Sequence, residues 1–299
     1  MKIENFTAHD GKNISLKVWD EVSEPRGVVQ LIHGMAEHIS RYDDFACFLN
    51  SHGFIVAGDD HRAHGDTDPD ALGLAGEGDL FENTVADEKG ITALLKARYD
   101  LPLVVLGHSY GSFLTQRYLT LGTDDIAGCI LMGSAAMEGL VVNLGRMVAS
   151  GKMKKAKDAP GKFFAGQTFV KYDKKLQEGT NAWLCRDKEQ VEIFNADPQC
   201  GFLCSNGFYY YFFGGMQAIA KDKGEHIRKD LPLLIISGNA DGVGGYGKLV
   251  KKLYNRYVKF GLHPELQLIE GARHELVNET NKREVYDLVC DFVAKAVQA

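Results

Sequence analysis

The sequence predicts an α/β fold: a mostly parallel sheet, helices on both faces and one helical insertion. Two observations carry this expectation. Short apolar runs alternate with segments of helical period, the pattern of strands joined by crossover helices. The alternation then lapses for about 90 residues and resumes, so a single core is interrupted once. The length agrees, because 299 residues exceed one small domain and fall short of two full-sized ones.

Each element has a local reason. Lys2 to Ala8 and Asn13 to Val18 read as extended, and Asp10-Gly11 between them is a hairpin signal. Gly27 to His33 is a near-continuous apolar run, as in a strand buried on both faces. Between Arg41 and Ser51, Tyr42, Phe45, Phe48 and Leu49 share one helix face. Phe54 to Gly58 is a short strand. Glu82 to Tyr99 is helical, and Leu103 to Leu106 is a strand with Pro102 tolerable at its start. Ser112 to Leu121 reads as helix and Ile126 to Met132 as strand. From Ala135 to Arg228 the patterning is helical, without convincing strands. Strands return at Pro232 to Ile236 and Glu265 to Ile269. A closing helix places Val285, Leu288, Val289, Phe292 and Ala296 on one stripe. The expected division is a core at 1–134 and 229–299, with the insertion at 135–228.

Composition narrows the class. Hydrophobic residues at 45 % exclude a disordered chain. A net charge of -6 speaks against a nucleic-acid binder. Six scattered cysteines, mostly in apolar runs, and an N-terminal stretch without a secretory apolar run point to the reducing cytosol. Cys200 and Cys204 lack a second pair at zinc-ligand spacing. The uncharged stretch Pro198 to Ala220 contains Asn206, Gln217 and glycines, and reads as a buried or interfacial segment of the insertion.

The chemistry centres on Gly107-His108-Ser109-Tyr110-Gly111. Chance supplies roughly 0.12 Gly-x-Ser-x-Gly matches in such a composition, so the motif alone is weak. Its place makes it strong: a strand precedes it and a helix follows, the setting of a nucleophile elbow. The glycines are needed because the serine sits on a sharp, strained turn where bulkier neighbours would collide. A serine nucleophile needs a base, and the base needs a carboxylate to orient it. Asp241 follows the strand ending at Ile236, and His274 follows the strand ending at Ile269. Both lie past strand carboxyl ends, on the sheet edge that carries Ser109, in the chain order Ser, Asp, His.

The other histidines fit less well. His263 precedes its strand, and His9, His52 and His226 lie at element edges or in linkers. His61 and His64, near Asp59 and Asp60, lack a recognisable metal-ligand spacing. His108, one residue from Ser109, should point away from the nucleophile's side. An oxyanion needs two fixed N–H donors, and Tyr110 supplies one. The loop after the strand ending at His33 supplies the second, taken as Met35. No metal or organic cofactor is required by this chemistry.

These segments resemble the α/β-hydrolase superfamily, and within it the monoacylglycerol lipase and bacterial lysophospholipase-like branch. The resemblance spans essentially the whole chain. It rests on His33-Gly-Met-Ala-Glu-His38 with Arg41-Tyr42, on Asp60-His-Arg-Ala-His-Gly65, on the serine pentapeptide, and on Asn239-Ala-Asp241 and His274. Trp183 to Asp187 and Ala196 to Phe202 also look like bacterial members. The resemblance implies an eight-stranded sheet, a triad of Ser109, Asp241 and His274, and oxyanion donors at Met35 and Tyr110. Ala63 stands where the branch usually has glycine, and Asp66-Thr67 where a serine-containing turn is common. Ser109 separates the chain from relatives with an aspartate nucleophile, and Gly34-Met35-Ala36 from those with a Gly-Gly-Pro oxyanion loop.

The insertion should wall the pocket over the strand ends. Its second half is aromatic, and Phe208, Tyr211, Phe212 and Met216 are candidate substrate contacts. The same residues would equally pack the insertion onto the core. Its first half is basic: from Ala135 to Lys175, nine cationic residues stand against three acidic ones, leaving -12 for the rest of the chain. With Leu140, Val141, Leu144, Met147 and Val148 nearby, this half is expected to meet anionic membranes or substrates. The expected activity is hydrolysis of an acyl ester, of monoacylglycerol or lysophospholipid type, through an acyl-serine. A short-chain or aryl carboxylesterase, a thioesterase or peptidase, and a binding protein that keeps an idle triad are the alternatives.

Overall fold

A computed structural model describes residues 1–167 and 169–298. Eight strands form one sheet in the order β1-β2-β4-β3-β5-β6-β7-β8. They are β1 (Lys2–Thr7), β2 (Asn13–Trp19), β3 (Gly27–Ile32), β4 (Phe54–Asp59), β5 (Leu103–His108), β6 (Gly128–Met132), β7 (Leu233–Gly238) and β8 (Glu265–Ile269). Only the first two strands run antiparallel to their neighbours; β3 to β8 are parallel. The hairpin forms where Asp10-Gly11 predicts it: Gly11 has φ +85°, and the Asp10 side chain accepts from Lys12 N–H.

Strand alternation divides the core into two layers. Val105, Leu131 and Ile235 face one side, against α2 (Leu80–Tyr99), α3 (Tyr110–Leu119) and α9 (Lys248–Lys259). Val104, Leu106, Ile130, Leu234 and Ile236 face the other, against α1 (Asp43–Ser51) and α10 (Lys282–Ala296). The stripe of α10 holds Val285, Val289, Phe292 and Ala296 buried, with Leu288 at its margin. Helix α9 was not among the expected elements. Its buried positions Val250, Leu253 and Tyr257 keep helical spacing, but the lysines and arginine between them mask the stripe. The helix expected from Arg41 opens earlier, as a 3-10 turn at Ile39–Tyr42.

Between β6 and β7 lie α4 (Leu140–Ala156), α5 (Lys162–Gln167), α6 (Phe169–Leu176), α7 (Lys188–Ala196) and α8 (Asn206–Lys221). Helix α8 packs along α4 and reaches α2 and α3 of the core. No described helix is long and apolar enough to cross a membrane.

One close approach sets the geometry above the sheet. A Cβ on Gly111 would sit 2.0 Å from the carbonyl oxygen of Ile32, and one on Gly107 would sit 2.2 Å from Thr115 Oγ1. Only hydrogen fits where the start of α3 crosses the end of β3. Replacing Gly111 with Ala must therefore push backbone against backbone. Gly111→Ala is expected to cost about 3 kcal/mol or more, seen as a Tm lower by about 5 °C or more in a thermal melt.

Candidate active site

Ser109 sits at the turn between β5 and α3 with φ +52° and ψ −115°, a strained conformation for a non-glycine residue. The strain lifts its hydroxyl out of the strand line. Asp241 follows β7 and His274 follows β8, so three loops at one sheet edge meet. His274 Nε2 lies 2.8 Å from Ser109 Oγ, and His274 Nδ1 lies 3.0 Å from Asp241 Oδ2. The carboxylate can only accept from Nδ1–H, which leaves the Nε2 lone pair for the serine O–H. Ser237 Oγ and Val243 N–H also donate to Asp241.

Both partners are buried, and their charges answer each other. Burial works to neutralise Asp241, but the His274 charge and the donated hydrogen bonds outweigh it and hold its pKa low. Burial presses His274 down, while the Asp241 charge and hydrogen bond lift it above its ordinary value of 6.5. Such a pair can stabilise an imidazolium as it forms.

Tyr110 opens α3, and Met35 lies in the loop after β3. Among the described residues, neither Met35 N–H nor Tyr110 N–H has a protein acceptor. The Tyr110 amide also stands at the positive end of the α3 dipole. Two free donors beside a serine can receive an oxyanion.

A buried ionic network backs these loops. Arg41 donates to both oxygens of Glu275, the residue after His274, and to Glu37 of the Met35 loop. Burial acts to neutralise Glu37, but the Arg41 charge overcomes it and keeps the carboxylate ionised. His108 packs beside the site. Its ring lies against His274, with centroids 5.0 Å apart and Nε2 donating to the His274 carbonyl at 3.3 Å, and it lines the same cavity as Ser109. His9, His52, His226 and His263 are exposed.

Asp59, His61 and Glu88 bring three potential metal donors together, fully buried. His61 spends both nitrogens elsewhere, on these carboxylates and on the carbonyl of His33. The imidazole of this group therefore has no nitrogen free for a metal.

A cavity of about 140 Å³ opens on Ser109 and His274. Met35, Phe169, Trp183, Phe202, Leu203 and Tyr209 line it among others. Phe208, Tyr211, Phe212 and Met216 do not line it. Phe208 and Phe212 instead pack on Tyr110, and Phe212 also on Phe81 and Phe113. Met216 is buried in the same core layer, and Tyr211 packs against Tyr210 at its edge. Helical period explains the difference: positions 208, 212 and 216 form the stripe turned to the core, and Tyr209 is turned about 100° away, to the cavity.

Fold and site together define a carboxylic-ester hydrolase of the α/β-hydrolase fold. The chain belongs to the serine aminopeptidase S33 family of hydrolases, whose profile matches residues 23–281. The monoacylglycerol lipase of Mycolicibacterium smegmatis is 29 % identical over 297 residues, 97 % of this chain and 95 % of that one. The human monoglyceride lipase is 24 % identical, over 90 % of this chain and 82 % of its own length. A thermostable carboxyl esterase from Bacillus coagulans, solved with glycerol, superposes with a TM-score of 0.90 at 26 % identity, covering 99 % of this chain and 98 % of its own. A lipase in an open form superposes at 0.89 with 27 % identity, covering 100 % and 99 %.

The raised pKa of His274 has a kinetic sign. A base works only when neutral, so kcat/KM should fall as pH drops through that pKa, with a midpoint above 6.5. Asp241→Asn removes the charge that raises it most, leaving the smaller effects of Glu275 and Glu37. Its pH profile should shift the acid limb downwards while kcat drops by about 10⁴.

Proposed function

We propose that the protein hydrolyses esters carrying a single acyl chain, of the monoacylglycerol or lysophospholipid type, by two-step acyl transfer. Ser109 attacks the ester carbonyl while His274 takes its proton, and Asp241 holds the imidazole. The Met35 and Tyr110 amides receive the oxyanion. His274 then protonates the leaving alcohol, and in the second step it activates water against the acyl-serine. The observation that carries this reading is the unbroken chain from Asp241 Oδ2 through His274 to Ser109 Oγ, at 3.0 and 2.8 Å. The monoacylglycerol lipases and the glycerol-bound esterase among its relatives support the substrate class.

The insertion serves as a cap in this reading, with the segment 135–228 closing over the site. Cap residues Trp183, Phe202 and Tyr209 form apolar walls for the acyl chain. A second reading, a short-chain or aryl carboxylesterase, has an observation in its favour. The cavity of about 140 Å³ compares with the roughly 150 Å³ that accommodates benzene in an apolar protein interior. A long acyl chain therefore needs the cap to open, whereas a short or aryl one does not.

Helix α4 supplies the membrane contact in this proposal. Leu140 is 79 % exposed, Val141 75 % and Met147 63 %, and Lys154 and Lys155 follow in its last turn. An exposed apolar edge beside cations suits an anionic bilayer surface. The six free cysteines favour action in a reducing compartment such as the cytosol.

Ser109→Ala should lower kcat by about 10⁶ on any ester cleaved. A panel of p-nitrophenyl esters, monoacylglycerols and lysophospholipids should give the highest kcat/KM on a single-chain lipid. A preference for acetate or butyrate esters alone would select the second reading. Sedimentation with anionic vesicles should fall with salt and fall further in Lys154→Glu/Lys155→Glu. Binding indifferent to both would remove the membrane contact from the account.

A further inference from the structure

The loop that carries the Met35 amide does not hold its own shape. Ala36, the next residue, has φ +56°, a left-handed conformation that an alanine keeps only when its surroundings impose it. The surroundings come from the loop after β4. His61 N–H donates to His33 Nε2 at 3.1 Å, and His61 Nε2–H donates to the His33 carbonyl at 3.1 Å. Ile39 N–H donates to Asp60 Oδ1 at 2.9 Å. Ala36 N–H donates to His64 Nε2 at 3.1 Å.

We propose that His64 is a positioning residue for the oxyanion site. One side chain sets both donors: its Nε2 holds the amide beside Met35, and its ring backs Tyr110. The proposal rests on the reading of Ser109 as nucleophile.

The hydrogen bonds settle the state of the ring. His64 Nδ1 lies 2.9 Å from the carbonyl oxygen of Arg62, which can only accept. Nδ1 therefore carries the proton, and Nε2 presents a bare lone pair to Ala36 N–H. Protonation would set two N–H groups against each other. Burial first, and then the charge of His61, press the His64 pKa down to about 3, so the neutral ring persists at working pH.

From the other side, Glu37 Oε1 accepts the Gly34 N–H at 2.7 Å. The amides on both sides of Met35 are thus occupied by fixed side chains, and the Met35 amide between them is left open. The His64 ring lies nearly parallel to that of Tyr110, with centroids 6.0 Å apart and planes 21° apart. His64 itself is fully buried, so it meets the substrate nowhere and acts through the two residues it holds. The loop that presents it is tight: Ala63 has φ +65°, and a Cβ on Gly65 would strike the Asp60 carboxylate at 2.4 Å.

The test compares His64→Leu, which lacks the acceptor at a similar size, with His64→Gln, which returns a carbonyl oxygen. Loss of one oxyanion donor typically costs about 10²- to 10³-fold in kcat. His64→Leu should lose about 100-fold in kcat while KM stays within about 3-fold. It should lose about 100-fold in affinity for phenylboronic acid, whose serine adduct places an anionic oxygen where the oxyanion forms. His64→Gln should recover at least about tenfold of each. A His64→Leu protein that keeps kcat and boronate affinity within about 3-fold, or that loses only through KM, overturns the proposal.

Should His64→Leu not fold, wild-type protein decides through the ¹⁵N chemical shifts of the His64 ring. These should show a neutral ring protonated at Nδ1 from about pH 5 to about pH 9. A proton on Nε2 overturns the proposal. The underlying reading fails separately, by a wild-type protein that takes up no fluorophosphonate on Ser109.

Discussion

The structure turns on the contact between Gly111 and the end of β3. Backbone meets backbone there with room for a hydrogen atom and nothing larger. This approach brings the first turn of α3 beside the loop that leaves β3. Tyr110 opens that turn, and Met35 lies in that loop. The turn that permits it strains Ser109, and the strain exposes the hydroxyl. The strained turn at Ser109 is a consequence of this packing constraint, and Asp241 and His274 reach that point from two further strand ends.

Charge then couples the loops to one another. Arg41 bridges Glu37, beside the oxyanion loop, and Glu275, beside His274. Its guanidinium also lies 4.7 Å from the ring of Phe194 on α7. The Glu275 amide donates to the carbonyl of Leu184 in the insertion. The loops after β3 and β8 and the segment between β6 and β7 thus meet at one buried ion network. Removing one partner would leave buried charge uncompensated, which is why such networks act as a unit.

Much of this was legible in the sequence, for a physical reason. Buried parallel strands are written as apolar runs, and a parallel sheet puts everything that follows a strand on one edge. Position after β5, β7 and β8 was enough to select Ser109, Asp241 and His274 and to set His263 aside. The aromatic half of the insertion was not legible in the same way. Helix α8 is apolar on more than one face, so composition alone does not tell which stripe meets the core. Phe208, Phe212 and Met216 turned out to be the core stripe, and the cavity received Tyr209 together with residues distant in sequence such as Phe169 and Trp183. The contact of His108 with the His274 carbonyl was not legible, because the two residues lie 166 positions apart. Ala63, where the resemblance led glycine to be expected, stands at a positive φ, so the sequence signal there was a backbone signal.

In the proposed reaction Ser109 carries the acyl group between two chemical steps. The most direct measurement is rapid mixing with a p-nitrophenyl ester followed by acid quench and peptide mapping by mass spectrometry. A burst of about one equivalent of p-nitrophenol and an acyl adduct on the peptide containing Ser109 are expected. Turnover with no burst and no adduct, or an adduct on another residue, would contradict it.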